Sequence, residues 1–277
     1  MVFITAVPFS RPDRGYVHIY ETGRLVALDT AGATVADFCC VDVPVASAQL
    51  SGDLRVVVVL SPEGVLEVWD TASEQRVSRL QVPALAEAAP EAAAANHDGT
   101  LAAFVLPDGL IVLDPATGEA VLEGAEVTQP FSGDLTFSRH GDAVIVLDCA
   151  GVLTVYELAN GRPRLSLAYR FGCFTGADIS PDGTQVAAST TGSSLQVWDT
   201  TTSALLFELP RTLVIGRPHF SPDGRLLFAS LVDDLARPTI RAYFTRLEDL
   251  MAFARSRLTR GLTDAECQQY LRLEACP

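Results

Sequence analysis

The chain has 277 residues, 48% hydrophobic and 19% charged, with a net charge of −14. That balance excludes a disordered polymer and suits one large all-β domain or two small ones. All 20 cations are arginine, and so acidic a chain lacks the clustered positive charge that nucleic acid or an anionic membrane surface requires.

From the N-terminus, residues 1–14 (MVFITAVPFSRPDR) carry no basic leader and no small-residue cleavage site, and read as a strand around Phe3–Phe9. No apolar run reaches the ~18 residues of a membrane span, and a cytoplasmic location is expected. A turn bearing Glu21 then leads to a strand that ends at Leu28-Asp29. The apolar run Val56–Leu60 is followed by a turn with Glu63 and by LEVWD, ending at Trp69-Asp70. The pattern recurs: NHDG (96–99), Leu101–Leu106, Asp108 and Leu113-Asp114, then SRHGD (138–142), Val144–Leu147, Asp148 and LTVYE. It recurs again as SPDG (180–183), LQVWD and Leu205–Leu209, and a last time as SPDG (221–224), Leu226–Ser230, Asp233-Asp234 and Tyr243-Phe244. Proline followed by Asp-Gly supplies the backbone angles of a tight turn, and short apolar strands between such turns mean all-β.

The second residues of the six Trp-Asp-like pairs lie 41 to 45 residues apart. That is the period of a four-stranded propeller blade. Six units follow, 2–43, 44–83, 84–126, 127–171, 172–212 and 213–245, the last with three strands before the pattern turns helical. One outer strand is therefore unaccounted for. The extreme N-terminus, Leu271-Arg272-Leu273, a partner chain, or no strand at all are the alternatives.

After Arg246 the apolar period changes to 3.6, with Leu247, Leu250, Met251, Ala254 and Leu258 on one helical face. Arg255, Arg257 and Arg260 suit the helix C-terminus, and Gly261 stops it. Thr263 and Glu266 form a capping box for a second helix, with Leu262 stapling Cys267. Leu247, Leu250, Met251, Leu258, Tyr270 and Leu271 are expected to pack on the propeller, making 246–277 a helical tail on a 1–245 ring.

The Trp69-Asp70 and Trp198-Asp199 pairs and the two SPDG turns resemble the WD-repeat β-propeller family. The resemblance covers residues 1 to about 245 and implies a propeller of about six four-stranded blades. No Gly-His dipeptide occurs, so the family's Asp–His–Ser/Thr–Trp hydrogen-bond network cannot form in its usual way. The ending LEDLMAFARSRLTRGLTDAECQQYLRLEACP resembles that of bacterial WD-repeat proteins in which the propeller is the sensor of a multidomain signalling or defence protein. The absence of lysine, with abundant Ala, Val and Leu, fits a GC-rich bacterial genome. That resemblance implies a protein partner, such as a separately encoded protease, TIR or STAND-type NTPase effector.

No phosphate loop, hydrolase elbow or zinc spacing is present. His18, His97, His140 and His219 are far apart in sequence, and the six cysteines, Cys39, Cys40, Cys149, Cys173, Cys267 and Cys276, form no CxxC pair. They read as reduced thiols. No cofactor, metal ligand or catalytic group is assigned, and the expectation is a non-catalytic protein-binding scaffold or sensor. Glu21, Glu63, Asp108, Asp148, Asp233 and Asp234 fall in equivalent second-to-third-strand turns. They form either ordinary turn chemistry or an acidic collar that steers a basic partner. A purely structural subunit and a channel-site metal-dependent hydrolase are the alternatives.

Overall fold

The computed structural model describes residues 16–19, 24–29, 32–38, 44–87, 89–127, 134–148, 150–170, 172–192, 194–209, 213–214, 217–232, 238–257 and 268–269. Within them the chain forms six antiparallel sheets in sequence order. Sheet one holds β1 (Tyr16–Ile19), β2 (Leu25–Leu28) and β3 (Thr34–Phe38). Sheet two holds β4 (Ser47–Leu50), β5 (Val56–Leu60), β6 (Val65–Asp70) and β7 (Gln75–Gln81), and a one-turn helix, α1 (Pro83–Glu87), leads out of it. Sheet three is β8 (Ala92–Ala95), β9 (Ala102–Leu106), β10 (Gly109–Leu113) and β11 (Ala120–Ala125). Sheet four is β12 (Asp134–Phe137), β13 (Ala143–Leu147), β14 (Val152–Glu157) and β15 (Pro163–Ala168). Sheet five is β16 (Phe174–Ile179), β17 (Gln185–Thr190), β18 (Leu195–Asp199) and β19 (Leu205–Leu209). Sheet six has an interrupted inner strand, β20 (Leu213–Val214) and β21 (His219–Phe220), then β22 (Leu226–Val232) and β23 (Pro238–Phe244), followed by helix α2 (Leu247–Arg257).

Each complete sheet is a simple meander, because every connection is a short turn. All six Trp-Asp-like pairs fall at the end of a third strand, as the period requires; by that count β1 to β3 are the second to fourth strands of unit one. Its expected first strand, Phe3–Phe9, lies outside the described residues, as does Leu271–Leu273. Where third meets fourth strand, a register shift recurs at this pair: Ala27/Leu28, Val68/Trp69, Val112/Leu113, Val155/Tyr156 and Val197/Trp198. Such bulges increase local twist, which the radial arrangement of the sheets requires.

The first-to-second-strand turns share one hydrogen-bond scheme. Ser180 Oγ donates to Asp182 at 2.7 Å and accepts from the Gln185 amide at 2.9 Å. Ser221 repeats this with Asp223 and Leu226, Ser138 with Asp142 and Ala143, and Ser51 with Asp53 and Val56. The threonine after the Trp-Asp pair closes the same turn from the third strand: Thr71, Thr200 and Thr245 hydroxyls donate to the carbonyls of Leu54, Gly183 and Gly224.

The core is divided by seam. Among the described residues, one apolar cluster fills each junction of consecutive sheets from one–two to five–six. In seam one–two, Phe38 meets Trp69 edge-on with ring centroids 5.5 Å apart. The Trp69 indole donates at 3.1 Å to Glu67, whose fully buried carboxylate also takes Arg76 at 3.0 Å and Arg79 at 3.5 Å. A Glu–Trp–Arg network stands here where the Gly-His-based one is missing.

The tail departs from expectation. Helix α2 forms where the period predicts it, but none of its residues is buried. Leu247 is 71% exposed, and Leu250 and Met251 are also exposed. The helix leaves the end of β23 at the rim, where no fourth strand is described for it to lie on. It is held by other groups: Phe253 contacts Phe244 at 5.3 Å between centroids, Asp249 pairs with Arg225, and Arg246 reaches Asp182 at 3.2 Å. Leu258, Tyr270, Leu271 and the expected capping box lie outside the described residues.

Candidate functional site

In an antiparallel meander the first and third turns emerge at one end of the sheet, and the second turn and the link to the next sheet at the other. The ring therefore has two chemically distinct faces. The expected acidic collar belongs to the second-turn face.

There the structure separates the expected carboxylates. Glu63 and Asp108 stand exposed at their turns. Asp148 does not: it is 4% exposed and its Oδ1 accepts the Val152 amide at 2.8 Å. Its short side chain folds back to close its own turn, so Asp148 is a turn former and not part of a collar. Glu21, Asp233 and Asp234 lie outside the described residues.

A second acid, which the repeat pattern did not single out, joins this face. Glu126 sits in the link from sheet three to sheet four, at a groove of about 450 Å3 between those sheets. Asp108 and Glu126 flank it, with Val127, Thr154 and Tyr156 along its walls. The Tyr156 hydroxyl donates to the Glu126 carbonyl at 2.5 Å. Burial, then the charges of Glu126 and Asp148, push the Tyr156 phenol above its ordinary pKa. A negative field thus reaches the groove, and an aromatic ring lines it. The signal for Glu126 was its place just after a fourth strand, not its residue type.

The first-turn face carries five aspartates, Asp53, Asp98, Asp142, Asp182 and Asp223, each hydrogen-bonded within its own turn. Inside the ring, Arg217 crosses the sheet-five inner strand at Gly176 and pairs with Asp134 of sheet four at 2.7 Å. A Cβ at Gly176 would come within 2.3 Å of the Arg217 side chain, so this crossing needs glycine. Among the described residues, no group of three His, Cys, Asp or Glu is placed to hold a metal ion. No helix among them is long and apolar enough to cross a membrane.

No protein-family model matches the chain, and no curated protein matches its sequence. Solved structures do resemble it. The C-terminal WD40 domain of Sif2 is 16% identical with a TM-score of 0.56, over 88% of this chain and 67% of that one. The β-propeller domain of Cps50 (Swd1) from Myceliophteria thermophila is 13% identical with a TM-score of 0.53, over 87% of this chain and 86% of that one. At these identities the likeness establishes the fold, an all-β WD40-type propeller.

Proposed function

We propose that this chain is a non-catalytic binding platform whose second-turn face receives a basic segment of a protein partner. The carrying observation is the groove between sheets three and four, with Asp108 and Glu126 at its edges and Tyr156 in its wall. Carboxylates attract lysine or arginine, and Tyr156, itself buried, closes the groove's inner wall between the two acids. Exposed Glu63, on the same face, extends the attraction toward sheet two. The platform is residues 1–245, with 246–277 as its tail. The resemblance of the ending to bacterial sensor propellers supports a place in a signalling or defence complex, with a separately encoded protease, TIR or STAND-type NTPase as the effector.

The test is association kinetics with the partner recovered from the source cell. A triple variant, Glu63→Gln, Asp108→Asn and Glu126→Gln, should slow association by about tenfold at low salt, because exposed charges steer encounter. Raising the salt should narrow the gap as the Debye length shortens. An on-rate unchanged in the variant and indifferent to salt would remove this face from the interface. The Asp148→Asn variant should leave the on-rate alone and cost stability instead.

A further inference from the structure

The opposite, first-turn face opens at the ring axis into a cavity of about 200 Å3. Sheets two to six each contribute a wall: Gly52, His97, Arg139, Asp178 and His219 in turn. A site that draws on five sheets is set by the fold as a whole, not by one loop.

The wall groups are not equivalent. Among the described residues that line the cavity Asp178 is the one carboxylate, and both its oxygens are already engaged. Oδ1 accepts the Ile179 amide at 2.9 Å and Oδ2 the Phe220 amide at 2.9 Å, with His219 Nδ1 3.8 Å from Oδ2. The His97 imidazole is placed by backbone. A Cβ on Gly52 would stand 2.5 Å from its Nδ1, and the Asp53 amide holds the His97 carbonyl at 2.8 Å. Arg139 is exposed beside them on its turn. The described residues of the mouth therefore present hydrogen-bond donors, from imidazole and guanidinium, while the acid among them is turned to the backbone.

We propose that this axial mouth binds a single oxyanion, a phosphate or carboxylate, through Arg139 and His97. A cavity of this volume admits one such group and is smaller than the ~300 Å3 at which pockets for larger organic ligands begin. The competing term is the ring of five turn aspartates at the same end. Each is bonded within its turn, and its long-range repulsion is screened over ~8 Å at physiological ionic strength. Direct donor contact at short range wins locally, and a free anion should bind with Kd on the order of millimolar. The same oxyanion can arrive free or on a partner side chain, and the two sources separate by affinity.

The probes are inorganic phosphate, acetate, and blocked Gly-Xaa-Gly peptides in which Xaa is glutamate or phosphoserine. They are titrated into the full chain while the histidine ring protons are followed by NMR. A saturable shift of the His97 signal is expected. Arg139→Gln should weaken it about tenfold, the scale of one charge-assisted hydrogen bond. Gly52→Ala, which drives a methyl into the imidazole, should abolish it. Glu63→Gln, on the other face, should leave it intact, so this site and the groove stand or fall separately. Peptide binding tighter than free phosphate or acetate assigns the anion to a partner side chain; equal binding assigns it to the free ion. No saturable shift with any probe, or binding unaltered in Arg139→Gln, overturns the proposal.

Discussion

Sheets five and six begin from nearly the same sequence and end differently. ISPDGTQVAAST and FSPDGRLLFASL form the same turn with the same serine, aspartate and glycine, and Thr200 and Thr245 close it alike. In sheet five the third strand, LQVWD, is covered by β19, and β17 is buried along almost its whole length. In sheet six the third strand runs into a helix, and Ile240 is 76% exposed. Leu227 and Ala229 are buried toward sheet five, while Leu226, Phe228 and Ser230, on the other face of β22, are only half-buried. A shared turn defines where a sheet starts. Whether its strands are buried depends on what pairs with the third strand and what fills the next seam.

The largest test of that contrast is at the third-strand aromatic. Trp198 is buried against Phe174 at 6.0 Å between centroids, so Trp198→Ala should cost about 3–5 kcal/mol. Tyr243 holds the same place in sheet six but is only partly buried, and Tyr243→Ala should cost about 1–2 kcal/mol. Urea denaturation midpoints compare them, and equal losses would mean sheet six is covered as well as sheet five.

The turns should behave oppositely, as equals. Ser180→Ala and Ser221→Ala each remove a hydroxyl that bridges a carboxylate and a backbone amide, and each should cost about 1–2 kcal/mol. A clear difference between the two would show that sheet closure, not the turn, sets the strength of this motif.

The acid limb sharpens the same comparison. Burial raises the Asp182 carboxyl, but hydrogen bonds from Ser180 and Thr184, with the Arg246 charge, hold it below the ordinary value. At Asp223 the Ser221 hydroxyl leads, joined by the Arg225 amide, and the direction is again down. A lowered folded pKa gives stability that is complete above the unfolded value of ~3.9 and is lost as pH falls through the folded value. Asp182→Asn and Asp223→Asn should therefore be less sensitive to acid than the parent below about pH 4. Denaturation midpoints measured down the pH scale decide it, and parallel curves would rule out these carboxylates as the source.

How much of this was readable from the chain depends on what each residue has to do. The six sheets were legible because Trp69-Asp70, Trp198-Asp199 and their weaker copies fall at third-strand ends, where in sheets one to five a bulge falls too. The site was less legible. Glu63, Asp108 and Asp148 occupy equivalent turns, but Asp148 turns back on the Val152 amide, a choice of rotamer that residue type does not reveal. The apolar stripe of α2 predicted a helix correctly but not a surface to receive it. The axial cavity draws its lining from five repeats, so no local motif announces it.

The smallest expected effect concerns the third turns. Gly118 and Gly161 take φ of 78° and 67°, and Ser203 is held at 57° in the equivalent place of sheet five. Ser203→Gly should relieve left-handed strain and stabilise by about 0.5–1 kcal/mol after the entropy of glycine is set against it. A drop in the thermal midpoint would mean the serine is not strained there.

The division of the core by seam carries a consequence for how such a chain can change over time. Each apolar cluster is private to two neighbours, so a substitution in one is compensated nearby and leaves distant sheets undisturbed. Lineages can then drift seam by seam, each keeping only the volume of its own cluster and the geometry of its own turns. Duplicating one unit adds one new seam without rebuilding the others. A ring assembled this way conserves its architecture while its residues are replaced almost wholesale, which is the condition in which 13% to 16% identity still accompanies the same fold.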